Sequence, residues 1–164
     1  MHRFDAITRK ILTGEALDRW LAVTGFKKRS IAFTNGCFDI LHRGHIQYLA
    51  QAAGLADVLV IGLNTDASVR KLKGPGRPFQ DEYARALILA SLSFVSAVTL
   101  FDEETPHELI RKIQPHYLVK GGDYKVSEIV GYELVKSYGG HVLTIPLVEG
   151  YSSTAIAEKI AGKT

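Results

Sequence analysis

Two histidines three residues apart, His42 and His45, bracket a glycine in the run Thr34-Asn35-Gly36-Cys37-Phe38-Asp39-Ile40-Leu41-His42-Arg43-Gly44-His45. An apolar run precedes this segment and a helical stripe follows at once, which places the pair at a helix N-terminus. Free backbone N–H groups and the positive end of the helix dipole favour an anion there. The dipole contributes only about 0.3 to 1 kcal/mol, so the imidazoles must supply much of the binding of any phosphate. Gly44 is expected to keep a side chain from standing between backbone and ligand. On residues alone two other readings stay open. One makes His42 a helix cap and His45 a surface or core-edge residue. The other gathers Cys37, His42, His45 and Asp39 around a metal, although the spacing matches no common zinc pattern.

Further along, Arg70, Lys71, Lys73 and Arg77 fall among Gly74, Pro75, Gly76 and Pro78. This composition predicts a turned basic loop that cannot be helical past Lys73. A charge run of this kind is often only a solvated loop. Leaving the ligand edge of a sheet, it would instead deliver Lys73 as a mobile point contact and Arg77 as a bidentate one to phosphates, with Arg85 facing the same cleft from the next helix. In Lys120-Gly121-Gly122-Asp123 the glycines would let backbone approach a ligand and Asp123 would accept from sugar hydroxyls, though a plain turn reads the same way. Ser152, Ser153 and Thr154 open a helix, either as caps or as phosphate donors.

The elements that must position these residues follow from hydrophobic periodicity. Apolar runs at Ile31–Thr34, Val58–Leu63, Val95–Phe101, Tyr117–Val119 and Val142–Ile145 predict strands of a parallel sheet covered on both faces. Between them, Ile46, Leu49, Ala50 and Ala53 make a helical stripe, and Ala84, Leu87, Ile88 and Ser91 another. Thr105, Pro106 and Glu108 predict a capping box with proline in the first helical position, carrying Leu109, Ile110 and Ile113 inward until Gln114-Pro115. A further helix is expected over Glu128–Tyr138, ending at Gly139-Gly140. The alternation predicts an α/β fold: a doubly wound, Rossmann-like parallel sheet sandwiched by helices, with ligands beyond the carboxyl ends of the strands. Phe4, Ile7, Ile11, Leu17, Trp20 and Leu21 predict one or two extra helices packed outside that core. The expected organisation is one domain over 1–164, a helical extension at 1–29 and a core at 30–164.

The chain has 164 residues, 46% hydrophobic and 23% charged, the balance of a globular protein with one core. A formal charge of +3 is too small to argue for a nucleic-acid partner. No apolar run approaches the roughly 18 residues of a membrane span, and no signal peptide opens the chain. With Cys37 the single cysteine, a cytoplasmic location is expected.

The segment His42-Arg43-Gly44-His45 resembles the hallmark of the HxGH nucleotidyltransferases, whose fold is shared with the catalytic core of class I aminoacyl-tRNA synthetases. The chain is too short for a complete synthetase. Within that family, four runs look like the heptose 1-phosphate adenylyltransferases: Phe33–His42, Lys73–Pro78, Val119–Tyr124 and Val148–Thr154. The resemblance extends from about Ile31 to the end. It implies that ATP and D-glycero-D-manno-heptose 1-phosphate give ADP-heptose and pyrophosphate, with Mg²⁺. It assigns His42, His45 and Lys73 to the triphosphate and its developing charge. Thr34, Asn35, Gly36, Cys37, Phe38, Gly44, Gly121, Asp123, Ser152, Ser153 and Thr154 are expected around the nucleotide; Asp39, Arg77, Arg85 and Lys120 are expected for the sugar phosphate, or for magnesium, whose ligands are unassigned. Glycerol-3-phosphate cytidylyltransferases carry threonine at the Cys37 position and arginine at the Leu147 position, which weighs against that activity. Many heptose enzymes are fused behind a sugar kinase, so a free-standing form is expected. Transfer to another phosphorylated alcohol, or nucleotide binding without turnover, are the alternatives. The expected partners are small molecules, ATP and a sugar phosphate, with neither nucleic acid nor membrane, and a homo-oligomer is expected.

Overall fold

The uninterrupted Val, Ile and Leu runs become β1 (Ile31–Gly36), β2 (Val58–Asn64), β3 (Ala97–Phe101), β4 (Tyr117–Gly121) and β5 (His141–Ile145). The structure, a computed structural model, describes residues 2–162. Its sheet has the order β3-β2-β1-β4-β5, and all neighbours are parallel. The chain order reverses between β1 and β4, and the crevice at their carboxyl ends is where such a sheet takes ligands.

Alternate side chains of each strand enter opposite cores. Ala32, Leu59, Ile61 and Val119 pack with Leu49, Ala52 and Leu89 of α3 (Arg43–Ala53) and α5 (Glu82–Ser91). Phe33, Val58, Val60 and Leu118 pack with Leu17, Ile110 and Val135 of α2 (Gly14–Phe26), α6 (His107–Ile113) and α7 (Tyr132–Ser137). With both faces covered, the expected α/β doubly wound, Rossmann-like sandwich is the fold observed. Among the described residues no helix is long and apolar enough to cross a membrane.

Several local expectations change. In α3 the buried face is Tyr48, Leu49 and Ala52, while Ala50 is exposed. In α5 it is Arg85, Ala86, Leu89 and Ala90, while Ile88 and Ser91 face outward. That helix is rotated because Arg85 turns inward to a set of backbone carbonyls. Pro106 is the N-cap of α6 without a side-chain cap bond, and Glu108 pairs with Arg111 instead of closing a capping box. The helix expected over Glu128–Tyr138 is broken: a 3-10 turn at Val126–Glu128 precedes α7. Gly131 lies between them at φ 92°, where an added Cβ would stand 2.7 Å from Ile110. Much of the expected basic loop is helix, because α4 (Asp66–Lys73) carries Arg70, Lys71 and Lys73 in its last turn, where cations complement the dipole.

The chain enters through α1 (Arg3–Thr8) and then runs beside β3. The Leu12 N–H donates to the Val98 carbonyl, and the Val98 N–H donates to that of Lys10, each at 2.8 Å. This covers the β3 edge. Leu12 and Leu17 are themselves buried, so the N-terminal segment contributes to the core.

Candidate functional site

The segment after β1 turns sharply into α3. Phe38 adopts φ 44°, a left-handed conformation that bulky residues rarely take. Its buried ring lies edge-on to His45, with centroids 5.3 Å apart. His42, the N-cap of α3, stacks on His45 at 3.9 Å between centroids and 28° between planes. No hydrogen bond of normal geometry reaches the buried Nδ1 atom of either ring within the protein, although the Ile40 backbone lies close enough to His45 to favour its charged form. Burial, then the charges of His42 and Lys73, lower His45 to about 4, and burial lowers His42 as well. Both are therefore neutral near pH 7 without ligand. At Gly44 an added Cβ would meet the His42 ring at 3.1 Å. The glycine makes room for the histidine stack.

Beneath this turn lies a frame of buried polar groups. Arg85, 1% exposed, donates through Nη1 to the carbonyls of Cys37 at 2.7 Å and Asn64 at 2.9 Å, and through Nε to that of Gln80 at 3.0 Å. Its Nη2 meets Asp66 Oδ1 at 2.7 Å. Asp39, also 1% exposed, accepts from Arg77 Nη1 and from the Phe79 N–H, each at 2.7 Å. Burial would raise its pKa, but bonds from Arg77, Phe79 and Gln80, with the Arg77 charge, hold it below the usual carboxylate value. Asp39, Arg77 and Arg85 were expected to meet sugar phosphate or magnesium. Their geometry instead joins the first loop to the 74–80 turn and to the start of α4. Thr34 was expected to line the cleft, yet it is fully buried and bonds the Tyr48 hydroxyl, which also donates to the Val119 carbonyl at 3.2 Å.

Above the frame, two clefts of about 340 Å³ each share a wall made by Asn35, Gly36, Cys37, Lys120 and Tyr124. The first is further lined by Phe38, His45, Tyr48, Lys73, Gly121, Leu147 and Ser153. It therefore brings together a histidine of the stack, Lys73 from the end of α4 and Ser153 from the start of α8 (Ser153–Ile160). Burial lowers the Lys120 pKa and raises that of Cys37 despite the nearby cations. Gly121 is required by neighbours, since a Cβ would come within 2.9 Å of Leu147. Ser153 Oγ donates to the Ile40 carbonyl at 3.0 Å, tying α8 to the histidine loop.

Three expected nucleotide contacts stand elsewhere. Ser152 accepts from the Ala155 N–H as a helix cap. Thr154 lines a separate cavity with Arg77 and Phe79. Asp123 is exposed and lines neither cleft. Sequence reasoning missed Tyr48, Tyr124 and Leu147. Tyr48 had a signal, because three residues after His45 it faces the same side of α3. The other two lie in loops without a periodic pattern. The metal reading of the first loop lacks a donor set: among the described residues no group of three or more His, Cys, Asp or Glu is placed to hold an ion, and Asp39 is engaged by Arg77.

The profile of the cytidylyltransferase-like family matches residues 33–159. The bifunctional protein HldE of Trichlorobacter lovleyi is 52% identical over 151 residues, 92% of this chain and 31% of that protein, so the chain spans about a third of the relative's length. A lipopolysaccharide core biosynthesis protein from Thermoplasma volcanium superimposes with a TM-score of 0.59 at 26% identity, covering 76% of this chain and 99% of that one. A pantoate-beta-alanine ligase from Francisella tularensis shares the fold, with a TM-score of 0.58 at 17% identity over 93% of this chain and 76% of its own.

Proposed function

This chain belongs to the cytidylyltransferase-like family, and from that premise we propose that it is a nucleotidyltransferase moving AMP from ATP to D-glycero-D-manno-heptose 1-phosphate. The products are ADP-heptose, a lipopolysaccharide precursor, and pyrophosphate. The observation that carries the reaction class is the His42–His45 stack at the N-terminus of α3, with His45 lining the same cleft as Lys73 and Ser153. The acceptor is supported by the four runs that resemble heptose 1-phosphate adenylyltransferases, and by the likeness to a protein named for lipopolysaccharide core biosynthesis.

In this reading the triphosphate lies in the cleft of His45, Lys73 and Ser153. An oxygen of the sugar phosphate forms a bond to the α-phosphorus in line, and the bond from that phosphorus to the bridging oxygen breaks. Pyrophosphate leaves with the electron pair. The acceptor monoester is largely ionised near pH 7, so the protein needs no strong base. Its residues orient the groups and stabilise charge. His42 and His45 donate to the phosphates, Lys73 meets the charge developing on pyrophosphate, and Lys120, in the wall between the clefts, draws in the acceptor phosphate. Asn35, Gly36 and Cys37 line the path between them. Mg²⁺, when bound, screens phosphate charge, and its ligands would be phosphate oxygens and water, in keeping with the lack of a clustered donor set among the described residues.

The test is pyrophosphate release from ATP with each anomer of heptose 1-phosphate, beside CTP with glycerol 3-phosphate. Turnover only with the heptose phosphate is expected. Turnover only with CTP and glycerol 3-phosphate would replace this substrate assignment, and ATP binding without release from any acceptor would remove the enzymatic reading.

A further inference from the structure

The cleft on the far side of the shared wall differs in chemistry from the one that holds His45. The end of α4 divides them, since Leu72 lines the second cleft and Lys73 the first. No histidine or serine lines the second cleft. Its lining is largely apolar, with Phe101, Leu118 and Ile129 among the residues, and its polar residues include Glu104 and Glu128. Glu104 comes from the β3–α6 connection and Glu128 from the 3-10 turn after β4, so the two approach from different parts of the chain.

Two carboxylates repel a polyphosphate and accept hydrogen bonds well from neutral hydroxyls. An apolar wall beside such acceptors suits the C–H face of a pyranose, and Lys120 stands where a phosphate on that sugar would reach the first cleft. We propose that the second cleft takes the sugar of the acceptor, and that Glu104 and Glu128 select it by accepting from its hydroxyls. The proposal rests on the sugar-phosphate reading given above. The exposed pair of Lys125 with Glu128, 3.3 Å apart, is no obstacle, because a surface ion pair of this kind contributes little and leaves the carboxylate free to accept from the sugar.

Steady-state kinetics of Glu104→Ala and Glu128→Ala, with heptose 1-phosphate and mannose 1-phosphate as acceptors, test the assignment. Both residues are exposed, so both variants should fold, as thermal melting would verify. The expected result is a KM for heptose 1-phosphate raised about tenfold or more in each variant, with KM for ATP within about twofold of the wild type. Preference for the heptose over the hexose should shrink. A rise in KM for ATP instead, or no change for either substrate, overturns the proposal. Calorimetric binding of heptose 1-phosphate alone separates this failure from failure of the underlying reading. Wild-type binding that the variants lose supports the cleft even without turnover, whereas absence of both binding and turnover in the wild type removes both proposals.

Discussion

His45 is a residue whose packing and chemistry pull in opposite directions. Stacked on His42 and edged by Phe38, it is held neutral until about pH 4 when the site is empty. In the unfolded chain it titrates near 6.5, so between these values the unfolded state binds more protons. Stability of the ligand-free protein should therefore be full above about pH 6.5 and fall as the pH is lowered toward 4, by roughly 3 kcal/mol at most. Urea unfolding across that range would measure it, and His45→Ala should flatten much of the slope. A triphosphate bound at the histidines, as proposed, would reverse the preference by favouring the protonated rings. ATP binding near pH 6 should then take up protons, seen as a dependence of the calorimetric heat on the ionisation enthalpy of the buffer. For catalysis, His45→Ala should lower kcat by about a hundredfold or more, as expected for loss of a contact to developing charge. Near-normal turnover in a folded variant would remove the residue from the mechanism.

At the scale of elements, Arg85 sets how α4 and α5 meet the strand ends. Its guanidinium holds the carbonyls of Cys37, Asn64 and Gln80 and the carboxylate of Asp66 at once, a spread that a lysine cannot reproduce. Arg85→Ala leaves these buried acceptors unmet and should cost about 3 kcal/mol or more in denaturant unfolding. Arg85→Lys should recover only part of this and should also weaken turnover, because the histidine loop and the helix bearing Lys73 lose a common brace. Stability equal to the wild type in the lysine variant would show that the charge alone suffices. This brace was not legible from helical spacing. The apolar stripe of α5 read from the sequence included Ile88 and left Arg85 to the ligand, whereas the folded helix exposes Ile88 and buries Arg85. A periodicity count treats arginine as a surface residue and cannot register carbonyls that converge on it from the loop after β1 and from the end of β2.

Across the whole molecule, the N-terminal segment packs into one of the two cores that flank the sheet. Leu12 and Leu17 belong to the core under β1 and β2, and residues 10–12 cover the edge of β3. Removal of residues 1–29 should lower the denaturation midpoint well below that of the full chain, since each buried leucine contributes about 1.5 to 3 kcal/mol and the freed edge invites association. Circular dichroism and light scattering would follow both effects. The modest excess of +3 matters through its placement: Arg70, Lys71 and Lys73 end α4 beside the cleft. ATP affinity should consequently decline as salt rises through the range where the screening length approaches a few ångströms.

Local patterns in the chain were sufficient for the strands, their parallel arrangement and the glycine-spaced histidines, because apolar runs and short motifs depend on neighbours in sequence. The same patterns brought Lys73, Lys120, Gly121 and Ser153 to the ligand edge of the sheet, and all four line one cleft there, although Lys73 ends α4, Lys120 and Gly121 end β4, and Ser153 begins α8. Only the tertiary structure decided which polar residues serve the protein and which face solvent. Asp39, Arg77 and Arg85 pair with partners 19 to 48 residues away, and Glu104 and Glu128 meet at one cleft from separate connections. The physical reason is that a polar side chain is satisfied by whichever donors and acceptors the fold brings within hydrogen-bonding distance, and those are set by strand order and helix docking.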